Sequence, residues 1–270
     1  ASERSEPRTL CGGEAEDTLR GKLIRYRMET ALNCYTVYQT DERMFFLKKI
    51  LDGKRAPRAT HIFAPNLTLS ARELQNVRPG EVLVCGALDE SGRRYTEENS
   101  VTVRCLSEDE DFLADNAALT AEGALGVLIE HSLLSLEEML VLVIGFGRTG
   151  AAVCRLLSLL GARVHVATTA SPRPARAFAE EVFPPEEADL SRYDAVVNTV
   201  PKLLFPGEKS LALAEDAVYI DLASRPAVEL SMLSALGLDA ASYPALPAKC
   251  SPVSAARAMA RFVTREAQND

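Results

Sequence analysis

A strand that ends in G-x-G-x-x-G and runs straight into a helix leaves a chain few folds to adopt. Residues 140–150, LVLVIGFGRTG, have that form. The run Val141, Leu142, Val143, Ile144 reads as a parallel strand buried on both faces. Gly145 turns the chain out of the strand, Gly147 lets a pyrophosphate approach the backbone, and Gly150 lets helix and strand pack closely. A helical pattern follows in Ala151, Ala152, Val153, Leu156, Leu157 and Leu160, closed by Gly161. The free N–H groups and positive dipole end of that helix suit phosphates. A second strand over 163–167, RVHVA, completes the unit. The expectation is a bound dinucleotide on Gly145, Phe146, Gly147, Arg148, Thr149 and Gly150. The alternative is a glycine turn in a domain of this kind that has lost its ligand.

Composition narrows the class. A net charge of −8 and a pI near 5.1 argue against non-specific binding to nucleic acid or anionic membranes, leaving room for a local basic pocket. With 47% hydrophobic and 25% charged residues, 270 residues suit one or two globular domains. No apolar run reaches the roughly 18 residues that span a bilayer, and the polar start, ASERSEPRTL, has no signal-peptide core. Cys11, Cys34, Cys85, Cys105, Cys154 and Cys250 are scattered without a C-x-x-C, which fits reduced thiols in a cytoplasmic protein. His61, His131 and His165 are far apart in sequence and suggest structural or exposed roles rather than a metal set.

Before the fingerprint the chain reads as a smaller doubly wound α/β domain. Strands are expected at 8–11, 33–39, 61–64, 81–86 and 101–106. Helices are expected at 14–30 and 45–51, with a helical turn or more at 71–77. Residues 1–7 read as a leader, Gly12 and Gly13 as a turn, 89–99 as a polar loop, and 107–111 as an acidic connector. A long helix should run from 115 to 133. Glu122 lies on it among Thr120, Ala121 and Gly123; it is either a carboxylate at a cleft between domains or a solvated residue near the helix start. The expected limits are 1–112 for the first domain, 113–250 for the second, and 251–270 for a C-terminal helix packing back across the interface.

After the fingerprint, the end of the second strand bears on the choice of nucleotide. NAD-specific sites carry Asp or Glu about 20 residues beyond the glycines. Thr168, 18 residues past Gly150, is followed by Thr169, Ala170, Ser171, Pro172 and Arg173, with no acid among them. Thr168, Thr169, Ser171 and Arg173 would welcome a 2′-phosphate, so NADP is favoured and NAD kept as the alternative. Thr169 or Ser171 would otherwise cap a helix over 172–182. Later strands are expected at 193–200, 217–222 and 238–242, then a proline-rich loop at 243–252 and a helix at 253–266. Loops at the carboxyl ends of parallel strands form the ligand crevice. That rule puts Asn198, Thr199, Val200 and Pro201, with Leu222, Ala223 and Ser224, on the nicotinamide side. It also puts Arg225 where a guanidinium can grip a carboxylate with two hydrogen bonds. The alternative for Arg225 is an ion pair with Asp221 or Glu229.

The ordered segments NAALTAEGA at 116–124, IGFGRTG, NTVP at 198–201, DLASRP at 221–226 and LPAKCSP at 246–252 resemble the dipicolinate synthase A-type family of spore-forming bacteria. The resemblance is close over 115–270 and weaker before it. It implies a flavodoxin-like N-terminal domain, a Rossmann NAD(P)-binding domain, and fold-level kinship with alanine and D-2-hydroxyacid dehydrogenases. It implies oxidation of a dihydrodipicolinate-type ring to dipicolinate with NADP accepting the hydride, in the cytoplasm of the mother cell during sporulation. A B-type flavoprotein-like subunit would be the partner, and a homodimer is the default assembly. Arg225 would be the first carboxylate clamp on a small dicarboxylate, Lys249 the second, and Glu122 the base.

The chain departs from the family pattern near the substrate side. Ala245 and Ala248 replace glycines around Leu246 and Pro247, Ala227 replaces the glycine after DLASRP, Ser254 to Ala256 depart from a T-A-G pattern, and Glu14 stands for Asp. Alanine does not readily take positive φ and adds a methyl where a ligand must come close. These changes keep two other readings open. One is a non-catalytic NAD(P)-binding subunit or sensor, the other a dehydrogenase for another small carboxylate.

Overall fold

The computed structural model of the protein describes residues 34–265. The leader, the strand at 8–11, the Gly12–Gly13 turn with Glu14, Cys11 and the helix at 14–30 lie outside the described residues. Two parallel sheets organise the rest.

The first sheet begins with β1 (Tyr35–Val37), followed by helix α1 (Glu42–Leu51) and β2 (Thr60–Ile62). A short β3 (Thr68–Leu69) precedes β4 (Val82–Cys85), and β5 (Ala87–Leu88) precedes α2 (Glu90–Glu98) and β6 (Thr102–Cys105). The sheet order is β1-β2-β4-β6, all parallel, while β3 and β5 pair separately. Alternate residues feed two cores. Phe63, Leu83 and Cys85 face Leu74, Val77 and Tyr95. Ile62, Ala64 and Val84 face Met44 and Leu47 of α1.

Residues 89–99 are a helix rather than the expected loop. Asp89 caps it by accepting from the Gly92 amide at 2.8 Å. Its burial is too thin for an apolar stripe: Gly92 and Thr96 are buried, and Tyr95 reaches in to donate to Val77 O at 3.0 Å. Conversely, 71–77 makes only successive turns, with the amides of Glu73, Leu74 and Val77 bonded to the carbonyls three residues back.

Helix α3 (Glu110–His131) links the two sheets. It starts five residues before the expected 115, since Asp109 accepts from the Phe112 amide at 2.8 Å and the acidic Glu110 and Asp111 suit the first turn. The supposed connector is therefore cap and helix. By length and composition alone this helix could cross a bilayer, yet Ala121, Ala124 and Leu128 are fully buried in the core.

The second sheet holds β7 (Leu140–Ile144), helix α4 (Arg148–Leu159), β8 (Arg163–Ala167), the short α5 (Pro172–Ala175) and β9 (Glu181–Phe183). It continues through β10 (Ala195–Asn198), β11 (Val218–Asp221), α6 (Leu230–Ala235) and β12 (Ala240–Ser242). Its order, β12-β11-β10-β7-β8-β9, is all parallel and doubly wound, with the switch point between β7 and β10. Val141 and Val143 of β7 face α3 and α4, whereas Leu142 and Ile144 face Tyr193, Val196 and Tyr219. The helix expected over 172–182 ends at Ala175. Glu181–Phe183 instead joins the sheet edge beside β8, where Val182 pairs with Val166.

Helix α7 (Leu246–Cys250) occupies part of the expected proline-rich loop, with Pro247 in its first turn, where a missing N–H costs nothing. Gly123 makes room for it: a Cβ there would lie 2.8 Å from that of Leu246. Helix α8 (Pro252–Arg265) packs on α1 through Ala256, Met259, Phe262 and Val263. Arg104 of β6 donates to the carbonyls of Phe262 (2.7 Å) and Val263 (3.1 Å), and Arg261 pairs with Asp115 at 2.6 Å.

Candidate functional site

The crevice begins where β7 stops. Gly145 takes φ +92°, a left-handed conformation open to glycine. A Cβ there would lie 2.6 Å from both Thr199 Oγ1 and Val200 Cγ2, so the β10 loop closes directly over the turn. A Cβ on Gly150 would collide with the Gly145 carbonyl. Gly147 differs from both: nothing lies within 4 Å of where its Cβ would stand, and it is exposed at the N-cap of α4. No side chain caps that helix, so the amides of its first turn have no side-chain partner at the N-cap. A dinucleotide pyrophosphate fits these residues. Arg148 reaches back to α3, where Glu110 accepts from its Nε at 3.0 Å and its Nη2 at 2.5 Å.

At the end of β8, the hydroxyl oxygen of Thr168 accepts from the Ala170 amide at 3.1 Å and holds the turn. Thr169, Ser171 and Arg173 are exposed, and Ser171 occupies the N-cap position of α5 without a side-chain capping bond. Their polar groups stand open beside the fingerprint's strand.

Across the switch point two strand ends are joined by a buried pair. Asn198 and Asp221 are both 0% exposed, and Asn198 Nδ2 donates to Asp221 Oδ2 at 2.8 Å. Asn198 also takes the Val200 amide on Oδ1 (2.9 Å) and donates to Val200 O (3.0 Å). Asp221 accepts from Tyr219 Oη (2.7 Å) and from the amides of Ala223 (3.0 Å) and Ala227 (3.1 Å). Burial pushes the Asp221 carboxyl above its ordinary range, and these donors offset only part of that rise. Asn198 does not present its side chain to the nicotinamide side as expected, because the amide is spent on shaping two loops. Thr199 Oγ1 is likewise spent, donating to Ile144 O at 2.9 Å. Val200 packs over Gly145, and Pro201 is exposed at the rim.

The loop after β11 carries Leu222, whose amide donates to Asn198 O at 2.9 Å, then Ala223, the exposed Ser224 and the exposed Arg225. Arg225 makes no ion pair with Asp221 or Glu229; among the described residues its guanidinium has no hydrogen bond or ion pair. Asp221 is instead the group that shapes the loop, a role marked in sequence only by an acid at a strand end. Ala227, where the sequence resemblance implies glycine, is fully buried without positive φ, so its methyl is accommodated. Ala245 is not so fortunate and takes φ 57°.

Glu122 is exposed in the middle of α3, not near its start, and has no partner among the described residues. Lys249 is exposed on α7. Gly123 packs against Leu246 and Cys250, so the two helices bearing Glu122 and Lys249 are in contact, although neither side chain is tied to the crevice loops.

No protein-family model matches the chain. Over 165 residues it is 27% identical to the A-type subunit of dipicolinate synthase from Bacillus subtilis (strain 168), a match covering 59% of this chain and 56% of that protein. The matched sequence thus spans little more than half of the relative. The solved structure of the same Bacillus subtilis component superposes with a TM-score of 0.74 at 20% identity, covering 90% of this chain and 98% of that one. The corresponding protein from Bacillus halodurans gives a TM-score of 0.69 at 24% identity over 77% and 79% of the two chains. An NAD-complexed D-isomer specific 2-hydroxyacid dehydrogenase of Lactobacillus delbrueckii ssp. bulgaricus gives 0.54 at 11% identity, over 87% and 96%.

Proposed function

We propose that this chain, a divergent relative of the A-type component of dipicolinate synthase, is an NADP-dependent dehydrogenase acting on a dihydrodipicolinate-type ring. The observation that carries this reading is the pairing of an open Gly147 cradle with an unpaired Arg225 on the same carboxyl edge of one sheet. NAD is the alternative nucleotide.

Aromatising such a ring removes a hydride and a proton. NADP⁺, when bound, accepts the hydride. The amides at the start of α4 would hold the pyrophosphate, helped by the helix dipole. Thr169, Ser171 and Arg173 would receive the 2′-phosphate. Thr199, Val200 and Pro201 would flank the nicotinamide on one side and Leu222, Ala223 and Ser224 on the other. Arg225 would grip a ring carboxylate and fix the reacting carbon, and orientation of this kind can supply a large part of a rate enhancement. Lys249 and Glu122, on the contacting helices α7 and α3, are the candidates for a second carboxylate contact and for the base.

The domain limits at 112 and 250, the homodimer, a B-type flavoprotein-like partner, and a place in the mother-cell cytoplasm during sporulation belong to the same proposal. The second reading, a non-catalytic nucleotide-binding protein, is favoured by Ala245, whose strained φ of 57° sits at the turn where the family carries glycine. A dehydrogenase for another carboxylate is a narrower variant, and a substrate panel separates it.

The test is binding of NADPH and NADH to the purified chain, then NADP⁺ reduction with a dihydrodipicolinate precursor. Tight NADPH binding with turnover is the expected result. Binding without turnover, also in the presence of a B-type partner, would favour the second reading. Binding of neither nucleotide would overturn both.

A further inference from the structure

We propose that Lys202 and Arg225 form a paired cationic clamp for the two carboxylates of a small dicarboxylate ligand. The inference rests on the dehydrogenase reading, which supplies the ligand class, and it adds a residue to that site.

Lys202 stands four residues beyond Asn198, the last residue of β10, and Arg225 stands four beyond Asp221, the last of β11. Asn198 and Asp221 are register partners in neighbouring parallel strands, so the two loops leave the sheet side by side. They are then sewn together at both ends. The Leu222 amide donates to Asn198 O at 2.9 Å, and the amides of Leu204 and Phe205 donate to Ala227 O, each at 2.9 Å. Phe205 and Val228 complete the seam as a parallel bridge. Lys202 and Arg225 lie between these ties, one on each loop.

The backbone under both cations is set by the same buried pair. Asn198 holds Val200, whose carbonyl accepts the Lys202 amide at 2.8 Å. Asp221 holds the amides of Ala223 and Ala227, on either side of Arg225. Both cationic side chains are exposed, and neither makes a hydrogen bond or ion pair among the described residues. Two positive groups on paired loops without a counter-ion offer an anion unsatisfied charge from two sides. A monocarboxylate needs one of them. A ring bearing two carboxylates engages both, and the pair discriminates the second carboxylate. Lys249 lies outside this pair of loops, on α7, so in this assignment Lys202 takes its place as the second carboxylate contact.

Isothermal titration with NADPH, and with two pyridine acids in the presence of saturating NADPH, tests this. Pyridine-2,6-dicarboxylate should bind the unmodified chain about tenfold more tightly than pyridine-2-carboxylate, the scale of one charge-assisted contact. Lys202→Met should erase that difference and leave pyridine-2-carboxylate and NADPH unchanged, and Lys202→Arg should restore it. Arg225→Met should weaken both acids. Unchanged dicarboxylate affinity in Lys202→Met would overturn the clamp, as would a parallel loss of NADPH binding, which would assign the lysine to the nucleotide. Both outcomes leave the dehydrogenase reading standing. If the unmodified chain binds NADPH but neither acid, the dicarboxylate reading falls and the clamp falls with it.

Discussion

Asn198 and Asp221, 2.8 Å apart and without solvent exposure, tie together the ends of the neighbouring strands β10 and β11 and set the two loops beside the switch point. Asp221 accepts from two side chains and two backbone amides. Asp221→Ala would strand those donors in a buried site. The expected loss is about 3–5 kcal/mol, since each buried donor left without an acceptor costs about 1–3 kcal/mol. Chemical denaturation checks it, and a loss below about 1 kcal/mol would refute the shaping role.

The fingerprint glycines should separate into two kinds. Gly150→Ala collides with the Gly145 carbonyl and should destabilise the fold. Gly147→Ala meets open space at an ordinary φ of −82° and should cost less than about 1 kcal/mol, because only a modest N-cap preference is lost. The same Gly147→Ala change should weaken NADPH binding at least about tenfold, since its methyl enters the space offered to the pyrophosphate. Melting curves paired with NADPH titration distinguish the two effects.

Ala245 holds a left-handed backbone at φ 57°, ψ 36°. An L-residue with a Cβ pays roughly 1–2 kcal/mol in that region, partly offset in glycine by unfolded-state entropy. Ala245→Gly should therefore stabilise the protein by about 1 kcal/mol. A neutral or negative shift in the denaturation midpoint would show that the turn relaxes around alanine.

His61 bridges Tyr38 Oη (2.9 Å) and Glu81 Oε2 (2.9 Å) inside the first sheet, and burial lowers its pKa despite the carboxylate. The folded state therefore binds the proton less readily than the unfolded chain. Stability is full above the ordinary value of 6.5 and is lost as the pH falls below it toward the depressed folded pKa. His165, also lowered mainly by burial, acts in the same direction. Urea denaturation at pH 7.5 and 5.5 should show a smaller acid loss in His61→Gln than in the unmodified chain; equal losses would refute the assignment.

Much of the fold was legible because burial and glycine geometry write themselves locally. The run Leu140–Ile144 is apolar because both its faces are covered, and Arg163–Ala167 matches its expected span to the residue. The fingerprint gave the turn, and the carboxyl-edge rule placed the loop of Arg225 at the crevice. Helix 90–98 was hidden because one aromatic residue and a cap hold it, leaving almost no periodic stripe. Glu181–Phe183 became a strand because the open edge of β8 offered hydrogen-bond partners, which the sequence around it does not encode. The same division runs through the site. Sequence alone determined a strand, a glycine turn and a helix at 140–159, since those constraints act within a few residues. Only the tertiary structure decided that Asn198 would turn inward to Asp221, because a buried amide must find its partner across strands 23 residues apart. The same pair bonds to the backbone of the two loops that carry the exposed Lys202 and Arg225.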